Sequence, residues 1–433
     1  MSHPLDSGAV APVDSALFKC LSRRIVDVAY RHAAGEPFFA YFDHNSLRIG
    51  IGKREQFEYL PGSKDQVDPF AAASRWCQTQ LMAKDISVYG FVSFDVAGYH
   101  HSYIGDGKLP LIRLIKPRLE LEVTPGQLSF RGETPERQLA LDVLACMHQD
   151  KGEAPISQLI RQAALLDDPE NYRDRVAELV HELRHGRLDK AILSRRVNTP
   201  AAVDWLGTFD RGMLHSQFCR SYLFDHGAIK AVGFTPETLL VSHGNTIATN
   251  PLAGTRRRGR DAIDEARMIR ELRRDPKEIK EHAISVLLAQ EELLRVCEPD
   301  SVAVREFMAL KQYRTVQHLS SRVGGVLRPA ANWWDAMREL FPGVTVSGIG
   351  KSDAIGAIGR YESESRGLYA GCVGVIDAAG DADFALSIRS LFEVDGRSFW
   401  QAGAGIIPES DPNLEFKETC HKLATMLEIT SFT

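Results

Sequence analysis

The stretch that most constrains the fold lies near the end of the chain, AGAGIIPESDPNLEFKETCHKL, residues 402–423. Three small residues at 403–405 allow the backbone to approach a ligand closely, because little or no side chain is in the way. Turn residues follow, and then a helical pattern in which Glu415 and Glu418 stand three positions apart. That spacing places both carboxylates on one helix face. The sequence therefore predicts an accessible backbone followed directly by a helix with paired carboxylates.

A second pair of carboxylates with the same spacing, Glu278 and Glu281, occurs far upstream in the segment DPKEIKEH. Two helices that each present such a face could hold one hard divalent cation between them. Mg²⁺ suits this arrangement, because it binds a few carboxylates and keeps positions for water and substrate oxygens. Each pair alone is also typical of a solvated helix face, so the metal prediction depends on the neighbouring motifs.

The properties of the whole chain exclude several classes of protein. The 433 residues carry a net charge of −5 without a basic tract, so nothing favours nucleic acid as a partner. No apolar run approaches the ~18 residues that span a bilayer, and the N-terminus lacks a signal-peptide pattern. The seven scattered cysteines contain no CxxC, which is typical of a reduced protein without a zinc or disulfide framework. We expect a cytoplasmic protein with no membrane partner, present as a monomer or weak homodimer.

Strand-like and helix-like patterns alternate along the chain, which favours an α/β or α+β class. Residues 1–155 contain strand patterns with short helices and no chemical motif. An amphipathic helix is predicted at 171–186, and the strand KAILSRRV follows it. A longer helical region is predicted at 261–297. We expect it to break before Pro276, because proline disrupts a helix interior.

Several isolated residues stand where chemistry could use them. Lys190 opens a strand, Glu237 follows Thr-Pro at a strand turn, and His318 lies among apolar neighbours in a strand. Each also has a structural interpretation: a solvated strand end, a carboxylate that accepts backbone hydrogens, and a satisfied buried histidine. Further small, hydroxyl-bearing or cationic candidates are Gly254, Thr255, Thr345, Tyr369 and Arg389.

Taken in order, these segments resemble the motifs of a known family. KAILSR, FTPE, PLAGT, DPKEIKEH, VQHL, VTVSG, GLYAG, SIR and AGAGI with its paired-glutamate helix are similar in order and spacing to the chorismate-utilising enzymes. That family contains isochorismate, salicylate, anthranilate and aminodeoxychorismate synthases. AQEEL, VQHLSS and RGLYAG are most similar to the salicylate branch. The resemblance implies a single domain over 1–433, with a catalytic core at 167–428 and a diverged N-terminal part at 1–155.

The resemblance also implies a fold and a reaction. The implied α/β (α+β) fold has two large β-sheets packed face to face, with helices on the outside. The implied reaction is the Mg²⁺-dependent conversion of chorismate to isochorismate and then, with release of pyruvate, to salicylate for siderophore or secondary-metabolite biosynthesis. Three alternatives stay open. They are an isochorismate synthase that stops at the first product, an ammonia-using synthase of the anthranilate or aminodeoxychorismate type, and a non-catalytic chorismate-binding protein.

The resemblance assigns the two catalytic roles by position. Lys190 corresponds to the general base that activates a water toward C2 of chorismate. Glu237 corresponds to the general acid that protonates the leaving C4 hydroxyl. Lys190 must be neutral to accept a proton, whereas Glu237 must stay protonated, and burial favours this by raising its pKa. A non-catalytic protein would not need to keep both groups.

The remaining roles concern the metal and the substrate. Glu281 and Glu418 correspond to direct Mg²⁺ ligands, with Glu278 and Glu415 supporting them. The enolpyruvyl carboxylate would be held by Arg389, Tyr369 and the backbone of Gly403, Ala404 and Gly405. Other residues implied to line the pocket are Gly254, Thr255, His318, Thr345 and Lys422.

Some positions depart from the salicylate synthase pattern. Asn250 stands where a glutamate usually precedes PLAGT, Pro276 replaces a serine, and Gly350 replaces a proline. The segment QYRTVQH replaces RGSVQH. None of these changes removes a metal or acid–base position, but together they leave the product open.

Overall fold

Helices and strands alternate along the computed structural model, which describes residues 15–62, 67–135, 137–146, 165–168, 170–186, 188–216, 218–313 and 316–433. The helices in these residues are α1 (Ser15–Ala33), α2 (Pro69–Leu81), α3 (Arg137–Cys146), α4 (Tyr172–His185), α5 (Trp205–His215), α6 (Ala262–Leu272), α7 (Pro276–Leu294), α8 (Trp333–Leu340), α9 (Val344–Ser347), α10 (Lys351–Tyr361) and α11 (Pro412–Leu427). The predicted end of the N-terminal part, near residue 155, lies outside the described residues.

The first of two large sheets has ten strands, all paired antiparallel. In spatial order they are β17 (Gly348–Ile349), β8 (Lys190–Asn198), β21 (Arg397–Ile406), β20 (Ser390–Val394), β11 (Ile229–Thr235), β10 (Arg220–Asp225), β1 (Phe38–Phe42), β2 (Leu47–Ile51), β6 (Leu119–Thr124) and β7 (Gln127–Gly132). Strands from both ends of the chain therefore build one sheet.

The second sheet is also antiparallel. Its order is β14 (Leu252–Arg257), β16 (Val316–Val326), β13 (Thr246–Thr249), β12 (Thr238–His243), β19 (Ala382–Leu386), β18 (Cys372–Ile376), β4 (Val88–Val92), β5 (Ile112–Lys116) and β3 (Glu55–Tyr59), with β15 (Ala303–Gln312) paired to β16. A small sheet pairs β9 (Val203–Asp204) with β22 (Ser431–Phe432).

The two large sheets share an apolar core between their inner faces, and helices cover outer-face residues of the first sheet. Phe39 of β1 stacks on Phe224 of β10, and Phe224 stacks on Phe91 of β4, with ring centroids 5.9 and 5.7 Å apart. Alternate residues of β1, such as Phe38, face the opposite way and pack with Ile25 of α1. The predicted architecture of facing sheets with helices outside is confirmed.

The helical region at 261–297 breaks where the sequence predicts it. Helix α6 ends at Leu272, and α7 begins at Pro276. Asp275 caps α7 by accepting the backbone N–H of Lys277 at 2.9 Å, and proline at the first helical position needs no hydrogen-bond partner. The break between α6 and α7 allows the first turns of α7, which carry Glu278 and Glu281, to run in a different direction from α6. Among the described helices, none is long and apolar enough to cross a membrane.

Candidate active site

A pocket of about 130 Å³ lies where β8 and β21 meet α7 and α11. It gathers most of the residues predicted for the site: Lys190, Glu237, Gly254, Thr255, Glu281, His318, Thr345, Tyr369, Arg389, Gly403, Gly405, Glu418 and Lys422. Three predicted residues do not line it: Glu278, Ala404 and Glu415. Residues more than 200 positions apart in the chain therefore meet in one cavity.

The paired backbones of β8 and β21 form one wall of this pocket. Gly405 lies opposite Ile192, and a Cβ added to Gly405 would stand 2.7 Å from Cε of Lys190. Glycine is therefore needed here to leave room for the lysine. Ala404 points to the other face and is fully buried against α4 and α10. Any contact between Ala404 and a substrate would therefore have to come from its backbone.

Lys190 is the first residue of β8 and is buried at the pocket floor, with 5% of its surface exposed. Its Nζ donates a hydrogen bond to Oε1 of Glu281 at 2.6 Å. The ion pair joins the predicted base to one predicted metal ligand. Any cation that binds Glu281 therefore competes with Lys190 for the same carboxylate.

Glu237 is buried in the same pocket, directly after Pro236. Its Oε1 accepts hydrogen bonds from Oγ1 of Thr345 at 2.8 Å and from the backbone N–H of Leu252 at 3.3 Å. Burial raises the pKa of Glu237 to about 8, against the opposing effects of these hydrogen bonds and of Lys190. The predicted rise is confirmed, and the carboxyl group holds a proton at neutral pH.

The four carboxylates of the two Glu-x-x-Glu pairs do not all face the pocket. Glu418 lines the pocket, and its carboxylate pairs with Nζ of Lys422 at 2.8 Å. Glu278 instead accepts hydrogen bonds from Arg256 and from the backbone N–H of Thr255. Glu415 accepts a hydrogen bond from Ser410. Within the part of the chain that the structure describes, no three acidic, histidine or cysteine side chains converge on one point.

The donor set nevertheless fits Mg²⁺ in its chemistry. Glu281 and Glu418 line the same pocket and come from two different helices. Burial would raise the pKa of Glu418, but Lys422, Lys190 and Lys277 outweigh it and lower that pKa, so the carboxylate is ionised, as a metal ligand must be. Mg²⁺ takes carboxylate oxygens of this kind together with waters.

The pocket also carries a half-buried cation, Arg389. Arg389 adopts the left-handed backbone conformation with φ of 51°, and its Nη1 donates a hydrogen bond to Thr425 at 3.1 Å. Among the described residues it has no carboxylate within ion-pair distance, and burial lowers its pKa. Tyr369 and Gly403 line the pocket beside it. An anionic group of a ligand would meet an unneutralised guanidinium here.

His318 and Gly254 form the side of the pocket next to β14. Nδ1 of His318 lies 2.9 Å from Oγ1 of Thr255, and burial lowers the pKa of His318 to about 3. The imidazole is therefore neutral and serves as a hydrogen-bonding group. Gly254 has a φ of +82°, a conformation that favours glycine.

Sequence reasoning missed a buried network beneath the pocket. Arg366 is fully buried, and Nη1 and Nη2 donate to the carbonyls of Val346 and Ile192 at 2.7 and 2.6 Å. It also pairs with Glu362, which accepts hydrogen bonds from the backbone N–H and the hydroxyl of Ser194. The motif RGLYAG indicates the family, but a single sequence does not show that its arginine, Arg366, is buried.

The chain matches the family of chorismate binding enzymes over residues 30–428. It therefore belongs to that family, which the facing sheets and the residues of the pocket also indicate. Among its relatives, the salicylate synthase of Mycolicibacterium paratuberculosis is 36% identical over 406 residues, covering 91% of this chain and 86% of the relative.

The chain is also similar to a second sequence relative and to a solved structure. Anthranilate synthase component 1 of Haloarcula marismortui is 30% identical over 432 residues, covering 91% of this chain and 88% of the relative. The structure of the menaquinone-specific isochorismate synthase from Escherichia coli superimposes with a TM-score of 0.71 at 20% identity, covering 99% of this chain and 93% of that one. At this sequence identity, the similarity to the Escherichia coli structure is evidence for the fold alone.

Proposed function

We propose that this protein is a salicylate synthase that converts chorismate to isochorismate and then to salicylate and pyruvate, with Mg²⁺ bound. The observation that carries the proposal is the similarity to a salicylate synthase over most of both chains. The sequence identity is 36% over 406 residues, which cover 91% of this chain and 86% of the relative. The placement of Lys190 and Glu237 in one pocket supports it. The salicylate would serve siderophore or other secondary-metabolite synthesis.

In the first step, Lys190 takes a proton from a water as the water oxygen bonds to C2 of chorismate. Both ring double bonds shift by one position, from C1=C2 and C5=C6 to C1=C6 and C4=C5, and the C4 hydroxyl leaves as water with the proton that Glu237 supplies. Water is a weak nucleophile and benefits from a base, whereas neutral ammonia is a stronger nucleophile and can attack without first losing a proton. The buried lysine thus favours hydroxyl transfer over the ammonia-using alternative. Each such acid or base typically contributes about 10²–10⁴ in rate.

Mg²⁺ would be held by Glu281 and Glu418, with support from Glu278 and Glu415. When bound, it would neutralise the ring carboxylate of the substrate. Glu278 is already fixed by Arg256 and by the backbone of Thr255. This chain therefore positions the start of α7 independently of the ligand.

In the second step, the hydrogen on C2 of isochorismate moves to the enolpyruvyl methylene carbon while the bond from C3 to oxygen breaks. Salicylate and pyruvate result without any external acid or oxidant. The enzyme mainly orients the side chain, which can contribute up to about 7–11 kcal/mol. Arg389, Tyr369 and the backbone of Gly405 are the groups that would hold it.

The test is incubation with chorismate and Mg²⁺, followed by chromatography and mass analysis of the products. We expect salicylate and pyruvate in equal amounts. Isochorismate that accumulates without pyruvate would identify an isochorismate synthase. A product that contains nitrogen and appears only with added ammonium would identify an ammonia-using synthase, and unchanged chorismate a binding protein.

Removal of a metal ligand should abolish turnover without unfolding the chain. Glu281→Gln and Glu418→Gln each remove one charge from the proposed Mg²⁺ site, so we expect Mg²⁺ binding measured by calorimetry to weaken and product formation to stop. Glu291→Gln, an exposed position on the same helix as Glu281, is the control. Full activity of the wild type in excess EDTA would contradict the metal assignment.

The raised pKa of Glu237 predicts how activity depends on pH. The group acts as an acid only when protonated, so kcat/KM for chorismate should fall as pH rises through about 8. A profile that stays flat to pH 10 would contradict the assignment of Glu237 as the acid.

Stability gives a second measurement of the same pKa. A carboxyl group with a pKa raised on folding stabilises the native state fully below its unfolded pKa, and this contribution disappears as pH rises to the folded value. Between pH 4.5 and about 8 the loss amounts to at most about 5 kcal/mol. Glu237→Gln cannot ionise, so its free energy of unfolding should fall less over this range. Equal pH dependence in both proteins would contradict the raised pKa.

A further inference from the structure

His282 lies on α7 directly after Glu281, and its side chain is fully buried. Both nitrogens of its imidazole ring have partners. Nδ1 lies 3.0 Å from the carbonyl oxygen of Ala253, and Nε2 lies 2.7 Å from Oγ of Ser321. Ala253 belongs to β14 and lines the pocket, whereas Ser321 belongs to β16. The imidazole therefore joins the helix that carries a proposed metal ligand to two strands of the second sheet.

The direction of both hydrogen bonds follows from the chemistry of the partners. A backbone carbonyl only accepts, so Nδ1 of His282 carries the proton and donates to Ala253. Burial lowers the pKa of His282, so the ring is neutral and Nε2 accepts from the hydroxyl of Ser321. That hydroxyl in turn accepts the backbone N–H of Met308 at 3.0 Å, where the register between β15 and β16 shifts. One tautomer thus satisfies both ring nitrogens and the serine hydroxyl.

A second contact holds the same face of α7. Glu278 precedes His282 by four positions and therefore shares its helix face. It accepts the backbone N–H of Thr255 in β14 at 3.0 Å. Consecutive helix residues are roughly 100° apart about the axis, so Glu281 faces a different direction from His282. With Glu278 and His282 held to β14, the rotation of α7 is set, and Glu281 lines the pocket.

The hydrogen bond from His282 also orients a peptide group of the pocket wall. Gly254 follows Ala253, lines the pocket and has a φ of +82°. The C=O and N–H groups of a planar trans peptide point in opposite directions, so fixing the carbonyl of Ala253 also fixes the N–H of Gly254. His282 therefore sets two features of the pocket: the direction of Glu281 and the peptide plane at Gly254.

We propose that His282 is a positioning residue, which directs Glu281 into the proposed Mg²⁺ site by anchoring α7 to the carbonyl of Ala253. The inference rests on the proposed function, in which Glu281 is a metal ligand. Of the two hydrogen bonds, only the one to Ala253 reaches a residue that lines the pocket. The positioning role belongs to that hydrogen bond, whereas the hydrogen bond to Ser321 contributes to stability.

Two substitutions of His282 separate the two hydrogen bonds. The side-chain amide of His282→Asn reaches the place of Nδ1 and can donate to Ala253, whereas that of His282→Gln reaches the place of Nε2 and can bind Ser321. Each variant loses one buried hydrogen bond, so we expect both to lose comparable stability in chemical denaturation. Mg²⁺ binding is measured by calorimetry without substrate. We expect His282→Gln to bind Mg²⁺ at least ~10-fold more weakly than the wild type and than His282→Asn.

Equal Mg²⁺ affinities of His282→Asn and His282→Gln would overturn the inference, because the histidine would then have a structural role alone. Ser321→Ala gives a second measurement if His282→Gln does not fold. It removes the hydrogen bond that does not reach the pocket, so it should lower stability and keep the wild-type Mg²⁺ affinity. A loss of affinity of ~10-fold in Ser321→Ala would overturn the inference as well. Wild-type protein that binds no Mg²⁺ would refute the metal assignment of the proposed function, and the inference with it, before any variant is compared.

Discussion

Lys190→Ala should lower the conversion of chorismate to isochorismate by about 10²–10⁴-fold. The lysine is buried at the start of β8, and the chain leaves space for it by placing glycine at position 405. In the proposed mechanism, its loss removes the base that activates water. It also leaves Glu281, its ion-pair partner at 2.6 Å, without that partner.

Isochorismate as the substrate allows the effect of Lys190→Ala on the second step to be measured without the first step. The proposed second step moves hydrogen within the substrate and needs no protein base, so Lys190→Ala should retain part of its pyruvate formation from isochorismate. Lys417→Ala, at an exposed position on α11, is the control for the loss of a lysine. Hydroxylation of chorismate by Lys190→Ala at the wild-type rate would show that another group is the base.

Arg366→Met should destabilise the protein by about 3–5 kcal/mol, because it leaves a buried carboxylate without its cation. The partner Glu362 has 5% of its side chain exposed, and Arg366 has none. The carbonyls of Val346 and Ile192 would also lose their donors. The free energy of unfolding, measured with chemical denaturant, checks this result.

A matched substitution on the surface provides the control. Arg360 of α10 pairs with Glu182 at 2.5 Å, but its side chain is 57% exposed. Arg360→Met should therefore change stability by less than about 1 kcal/mol. Adding Glu362→Leu to Arg366→Met should recover part of the loss, because the uncompensated buried charge is then absent. Equal effects of Arg366→Met and Arg360→Met would contradict the assigned role of the buried pair.

Much of the fold could be predicted, because its signals are local or are carried by motifs. Pro276 after Asp275 marks the start of α7, and the structure has that boundary. The small residues at 403–405 predicted an accessible backbone, and β21 places Gly403 and Gly405 at the pocket. Strand alternation, applied to the same segment, would also have directed the side chain of Ala404 away from the pocket.

The remaining features depend on contacts between distant parts of the chain. Glu278 and Glu281 share a spacing and a helix, yet Glu278 turns to β14 while Glu281 meets Lys190. The periodicity of a helix cannot tell which neighbour each carboxylate meets.

The central claim is that one pocket carries out both steps, and the fate of the hydrogen on C2 tests it most directly. Chorismate with deuterium at C2 is incubated with the enzyme and Mg²⁺, and the pyruvate is trapped as it forms and analysed by mass. The account predicts one deuterium in the methyl group of each pyruvate and one salicylate for each pyruvate formed. Deuterium retained in accumulating isochorismate, with no pyruvate above the uncatalysed background, would contradict it.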